Sequence, residues 1–214
     1  MKVKELFENV IKGGISVKPY GVPYSGDLDL KTIKDGKLPF DYSNDILNGD
    51  LEIDGDYKLT SLEGCPKIVN GIFWIESKKL KNLKSSPNEV NSFFCEIPTL
   101  TSLEGAPLRV RIGNGDSSDG TVSLKVCEEL TSLTGIGRDY FQQIDKAIVL
   151  PNTIKKSMLG ILKIKNLQEI RNFNLTGDLE NAARIINKYL DSGRNINKCK
   201  SELIEAGLEE YAQL

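Results

Sequence analysis

The stretch "KLTSLEGCP" at residues 58–66 returns almost unchanged as "TLTSLEGAP" at 99–107, and in eroded form as "ELTSLTGIG" at 129–137. A further variant, "KLKNLKSSP", stands at 79–87. Aligned on their second leucine, these phrases place Leu62, Leu83, Leu103 and Leu133 at intervals of 21, 20 and 30 residues. Self-similarity at a period of roughly 20–29 residues is the mark of a solenoid, in which each coil contributes one strand, one corner and one return segment. The longer interval contains "GNGDSSDG" at 113–120, which reads as a loop insertion outside the stack.

Each phrase follows a short segment of alternating character: "GDLEI" (49–53), "GIFWI" (71–75), "NSFFC" (91–95) and "TVSLKV" (121–126). Period-two alternation predicts a strand with one buried face. The inward positions are Leu51/Ile53, Phe73/Ile75, Phe93/Cys95 and Leu124/Val126. "GDLDL" (26–30) reads as an earlier coil, with Leu28/Leu30 inward, and "GILKI" (160–164) as a later one, with Leu162/Ile164 inward. The leucine pairs Leu59/Leu62, Leu80/Leu83 and Leu100/Leu103 then turn the corner. Pro66, Pro87 and Pro107 hold the return extended, and Val69, Val90 and Val110 close the coil. The phrase recurs because every coil needs the same corner.

The units "VNGIFWIESKKLKNLKSSPNEVN" and "CEIPTLTSLEGAPLRV" resemble the leucine-rich-repeat-like proteins of tailed bacteriophages, whose repeats carry an LTSLEGAP-type corner. The ending "CKSELIEAGLEEYAQL" is similar to the C-terminus common in that group. The resemblance covers residues 26–135 and 195–214; it departs at "GIG" in the last phrase and at the insertion. It implies a bacteriophage origin and a short open solenoid, and little about activity.

The ends read as covers. Val3, Leu6, Phe7, Val10 and Ile11 fall at helical spacing ahead of Gly13 and Gly14, predicting an N-terminal capping helix over 1–14. The solenoid then occupies 15–175. Residues 176–214 form a helical cap: one helix capped by Asp178, carrying Leu179, Ala182, Ile185, Ile186 and Tyr189 and ended by Gly193, and a second with Ile196, Cys199, Leu203 and Ile204. The expected fold is thus α/β: a short leucine-rich-repeat-like solenoid with one parallel sheet, irregular return segments and helical caps.

With 39% hydrophobic and 27% charged residues, the 214-residue chain has the composition of a packed domain. A net charge of −2 argues against a general polyanion binder. No apolar run approaches the roughly 20 residues of a membrane span, and the N-terminus lacks the apolar core of a signal peptide. Cys65, Cys95, Cys127 and Cys199 form no CxxC pair, which fits free thiols in a cytoplasmic protein. Histidine is absent, which removes serine and cysteine triads, HExxH zinc sites and histidine phosphoryl transfer. Gly120 lacks a glutamate six residues on, so "GNGDSSDG" does not match a calcium loop. No cofactor, metal or catalytic set is expected.

Two surfaces remain. On the open sheet face lie Asp29, Glu52, Trp74, Phe94 and Lys163, with Trp74 and Phe94 on neighbouring strands; exposed aromatics of this kind are protein-binding candidates. A lysine-rich ridge of Lys67, Lys78, Lys79, Lys81, Lys84 and Arg109 offers the alternative, nucleic-acid-associated binding. The expectation is a non-catalytic module that binds a host or phage protein through the sheet face. Leu62→Ala and Leu103→Ala should each cost about 2–5 kcal/mol, as truncations of buried leucines do. Urea midpoints near wild type for both would refute the corner assignment.

Overall fold

The computed structural model describes residues 14–19, 27–29, 36–38, 41–56, 59–113, 118–171 and 175–214, with backbone alone for 14–19, 27–29 and 54–56. The strands in chain order are β1 (Gly14–Pro19), β2 (Asp27–Asp29), β3 (Ile46–Leu47), β4 (Gly49–Asp56), β5 (Ile68–Ser77) and β6 (Glu89–Glu96). They continue with β7 (Arg109–Val110), β8 (Thr121–Ser123), β9 (Gln143–Ile144), β10 (Ala147–Val149) and β11 (Glu169–Arg171). Helices α1 (Gly177–Asp191) and α2 (Ile196–Glu205) close the chain.

The sheet runs in the order β11-β10-β8-β6-β5-β4-β1-β2, and every pairing from β4 to β11 is parallel. The architecture is a parallel β-solenoid. Alternation within β5 and β6 sends one residue in two inward, and stacking aligns these residues into a continuous inner row of Leu51, Phe73, Phe93, Val122, Ile148 and Ile170. The Phe73 and Phe93 rings stack with centroids 5.6 Å apart. Coils that expose an apolar face singly bury it jointly.

The return segments also pair. Leu47, Val69, Val90, Val110 and Ile144 form a second buried parallel ladder through β3, β5, β6, β7 and β9. Between the two ladders the chain bends at Gly71, where an added Cβ would lie 2.3 Å from the Gly49 carbonyl oxygen. The coil is therefore built from two ladders meeting at a tight bend.

The recurrent phrase is a hydrogen-bonded turn. Its third polar position accepts from the backbone N–H two residues on, in four successive coils: Ser61 to Glu63, Asn82 to Lys84, Ser102 to Glu104 and Ser132 to Thr134. Such side-chain turns are why Ser and Asn hold that place. The backbone N–H groups of Cys65, Ser86, Ala106 and Ile136 then close onto the carbonyls of Leu62, Leu83, Leu103 and Leu133. All four leucines are buried. The next position is left-handed throughout: Gly64 (φ 99°), Ser85 (φ 67°), Gly105 (φ 85°) and Gly135 (φ 87°).

Several expected details differ. "GDLDL" is no earlier parallel coil, because β2 pairs antiparallel with β1, and β1 pairs antiparallel with β4. The sheet thus ends in an antiparallel β1–β2 pair, and Gly14 begins a strand instead of stopping a helix; residues 1–13 lie outside the described residues, as does Leu30. "GILKI" forms a 3-10 helix over Leu159–Lys163, though Leu162 and Ile164 are buried as expected. In "TVSLKV" the strand is only Thr121–Ser123, so Val122 takes the inward row and Val126 is half-buried. The insertion is tied into the stack at its described ends: the Gly120 N–H donates to the Asn91 carbonyl and the Ser92 hydroxyl to the Ser118 carbonyl. Asp119 is buried and accepts from the Gly113 N–H. Strands β9, β10 and β11 lie within the expected solenoid range of 15–175 but in segments that carry no repeat phrase.

At the C-terminal end, α1 begins after Thr176, with Asp178 in its first turn and not at its cap. Leu179, Ala182, Ile185 and Ile186 face inward, while Ile204 of α2 is exposed. Asn187 meets β11 edge-on: its Oδ1 accepts from the Ile170 N–H at 2.7 Å and its Nδ2 donates to the Ile170 carbonyl at 3.0 Å. The Arg194 guanidinium donates to the carbonyls of Ile164 and Leu167. Backbone N–H groups of Ser157, Met158 and Leu159 donate to the carbonyls of Glu210, Tyr211 and Gln213, which binds the tail to the last coil.

Gly105 has no room for a methyl group: a Cβ there would sit 2.4 Å from the Lys84 nitrogen. Gly105→Ala should therefore lower stability by at least about 2 kcal/mol, through left-handed strain and coil separation together. Ser85→Gly, at the matching corner, should lose at most about 1 kcal/mol. Chemical denaturation of the pair checks this, and equal losses would refute the distinction.

Candidate functional site

The outer face of the sheet carries its own ladder. Strand pairing puts Glu52 beside Trp74, Trp74 beside Phe94, Phe94 beside Ser123, Ser123 beside Val149, and Val149 beside Arg171. This row crosses the solenoid from an acidic residue, through an apolar middle, to a basic one. Three of the five expected face residues, Glu52, Trp74 and Phe94, thus stand side by side. The fourth, Asp29, lies on β2 opposite Gly14, two strands from β4 across the antiparallel pair; its side chain is outside the described residues. Lys163 belongs to the 3-10 helix and not to the face.

Trp74 is half-buried, and its Nε1 is shielded from water without a hydrogen-bond partner. The acidic side is partly structural, since Asp50 Oδ1 accepts from the Ile72 N–H at 2.8 Å. Past Phe94 the face dips into a depression of about 350 Å³, lined by Phe94, Thr121, Ser123, Lys125, Val149 and Arg171 among others. The sequence reading missed this half of the row. Ser123, Val149 and Arg171 lie on strands that the repeat phrase does not announce.

On the ridge, Lys67, Lys78, Lys79, Lys81, Lys84 and Arg109 are all exposed. Acids are interleaved among them. Lys84 pairs with Glu104 at 3.0 Å, Lys81 with Glu129 at 3.8 Å, and Arg109 with Glu89 at 3.3 Å, where Arg111 also binds at 2.7 Å. Exposed pairs contribute little stability. They do break up the continuous positive potential that a phosphate backbone requires.

Burial pushes the Cys65 thiol well up and the Cys199 thiol to about 11. Cys95 is raised by burial and by its contact with Cys127, whose Sγ lies 3.6 Å away. A nucleophilic cysteine needs the opposite shift. Hydrogen bonds from Ser43, Arg138 and Lys188 draw down the carboxyls of Asp41, Asp139 and Glu202 respectively, whereas a general acid is raised. Among the described residues no group of three or more His, Cys, Asp or Glu side chains is placed to hold a metal ion, and no helix is long and apolar enough to cross a membrane.

No protein-family model matches the chain, and neither does any curated protein or solved structure. What the geometry defines is a β-solenoid with a mixed apolar and charged row along its outer sheet face.

The Trp74 indole is expected to fluoresce blue-shifted from free tryptophan. Trp74→Phe should cost less than about 2 kcal/mol, because the lost volume is offset by removing a buried donor that has no acceptor. Emission at the wavelength of a fully solvated indole would contradict this placement.

Proposed function

We propose that the chain is a non-catalytic protein-interaction module of bacteriophage origin that binds a host or phage protein in the host cytoplasm through its outer sheet face. The carrying observation is the single row of Glu52, Trp74, Phe94, Ser123, Val149 and Arg171. A partner laid across it meets opposite charges at the two ends and an aromatic and aliphatic surface between them. That arrangement fixes orientation by charge and derives affinity from burial. The phage attribution rests on the resemblance of the corner phrase. The downward carboxylate shifts and the protonated, buried thiols support the absence of catalysis. The glutamates interleaved with the ridge lysines weigh against the nucleic-acid alternative.

Affinity capture from infected cells tests the proposal. One stoichiometric protein should be recovered, and Trp74→Ala should weaken its binding by at least about 2 kcal/mol, the hot-spot range. Lys79→Ala and Lys81→Ala should alter mainly the salt dependence of the association. Recovery that nuclease treatment abolishes, or that Trp74→Ala leaves unchanged, would refute it.

A further inference from the structure

The depression beside Phe94 has a chemical bias that the rest of the face lacks. Val122 stands in the inner row, so its neighbours Thr121 and Ser123 on β8 stand on the outer one. Both line the depression, and its apolar part is formed by Phe94 and Val149. Thr121 is only 6% exposed, and its Oγ1 is buried without a hydrogen-bond partner. A hydroxyl shielded from water and left unpaired is unfavourable, and a ligand oxygen reaching it removes that cost. Lys125, at the rim, is exposed and forms no ion pair among the described residues. Arg171, also lining it, already has a partner in Glu169 at 2.6 Å, so its charge is partly compensated.

The balance at the depression is therefore one uncompensated cation, one buried hydroxyl without a partner, the two half-buried serines Ser118 and Ser123, and an apolar wall. We propose that this depression receives the carboxylate of an acidic side chain in a partner polypeptide, with an adjoining apolar side chain on Phe94 and Val149. This rests on the protein-interaction reading above and specifies the partner's chemistry. Lys125 supplies the countercharge; Thr121 and Ser123 donate to the carboxylate oxygens. A single free ammonium matches a carboxylate of unit charge better than a phosphoryl group, which carries about −1.5 to −2. The volume of about 350 Å³ suits one or two side chains, not a folded element.

The probe is a fluorescein-labelled hexapeptide alternating glutamate and leucine, measured by anisotropy with the full chain at low and moderate salt. Controls replace every glutamate by glutamine or by phosphoserine. The glutamate peptide should bind about tenfold or more tightly than the glutamine peptide, and more weakly as salt rises. Lys125→Gln should cost a similar factor with an unchanged melting curve. Thr121→Val should weaken the glutamate peptide while raising the melting temperature, which a merely structural hydroxyl would not do. Equal affinity for the glutamate and glutamine peptides, no binding of either, insensitivity to Lys125→Gln, or preference for the phosphoserine peptide would each overturn the inference. If the captured cellular partner depends on Trp74 but not on Lys125, the interaction reading survives and the acidic-ligand inference fails.

Discussion

Coil-to-coil contact at Gly105 and Gly71 is closer than a side chain permits, and the register of the stack follows from it. At Gly105 the backbone passes so near the preceding coil that a methyl group would overlap the Leu83–Lys84 peptide. Gly71 does the same against Gly49 at the bend between the ladders. With the backbones held at this spacing, the inward residues of successive coils must meet face to face. Phe73 therefore stacks on Phe93, and Phe93 in turn lies 5.9 Å from Phe141. Outward residues are brought into register by the same constraint, which is how a single row comes to cross the whole face. The outer row is a by-product of the corner.

A stack held together by backbone pairing exposes donors and acceptors at both ends. The two ends meet this differently. On one side, β1 runs antiparallel to β4 and β2 antiparallel to β1, so the parallel stack ends in a reversed strand followed by one that turns back again. On the other, Asn187 presents a side-chain amide to Ile170 as a strand would, while Arg194 takes up two carbonyls of the final coil. One amide imitating a peptide group satisfies the position where a further coil would begin to pair.

The repeat made half of this legible. The solenoid, the inward pairs of "GDLEI", "GIFWI" and "NSFFC", the buried corner leucines and the two C-terminal helices follow from period and spacing. The expected Trp74–Phe94 adjacency does too. The later coils were hidden because they dispense with the phrase: Ile148 and Ile170 join the inner row from segments with no LTSLEG corner. There Ser157 (φ 63°) and Asn166 (φ 64°) adopt the left-handed conformation without a glycine to announce it. "GILKI" alternates as a strand does, yet its buried Gly160 sits against the Ile136 carbonyl and the segment coils into a 3-10 helix. "GDLDL" carries the right alternation for a strand, but alternation does not say which strand it joins, and β2 pairs with β1 and not with β4. Because the depression lies on the later coils, the outer row is legible in the sequence at its acidic and aromatic end and not at its basic end.

The two terminations bear on how such a chain lengthens over generations. A duplicated coil inserted between β4 and β10 finds matching corners, valines and leucines on both sides. The same duplication placed before β4 meets a strand of opposite direction, and one placed after β11 meets Asn187. Growth by gene duplication is thereby confined to the interior. Each added coil would extend the outer row by one residue while leaving the acidic and basic ends in place, so the length of the row can drift without changing its polarity.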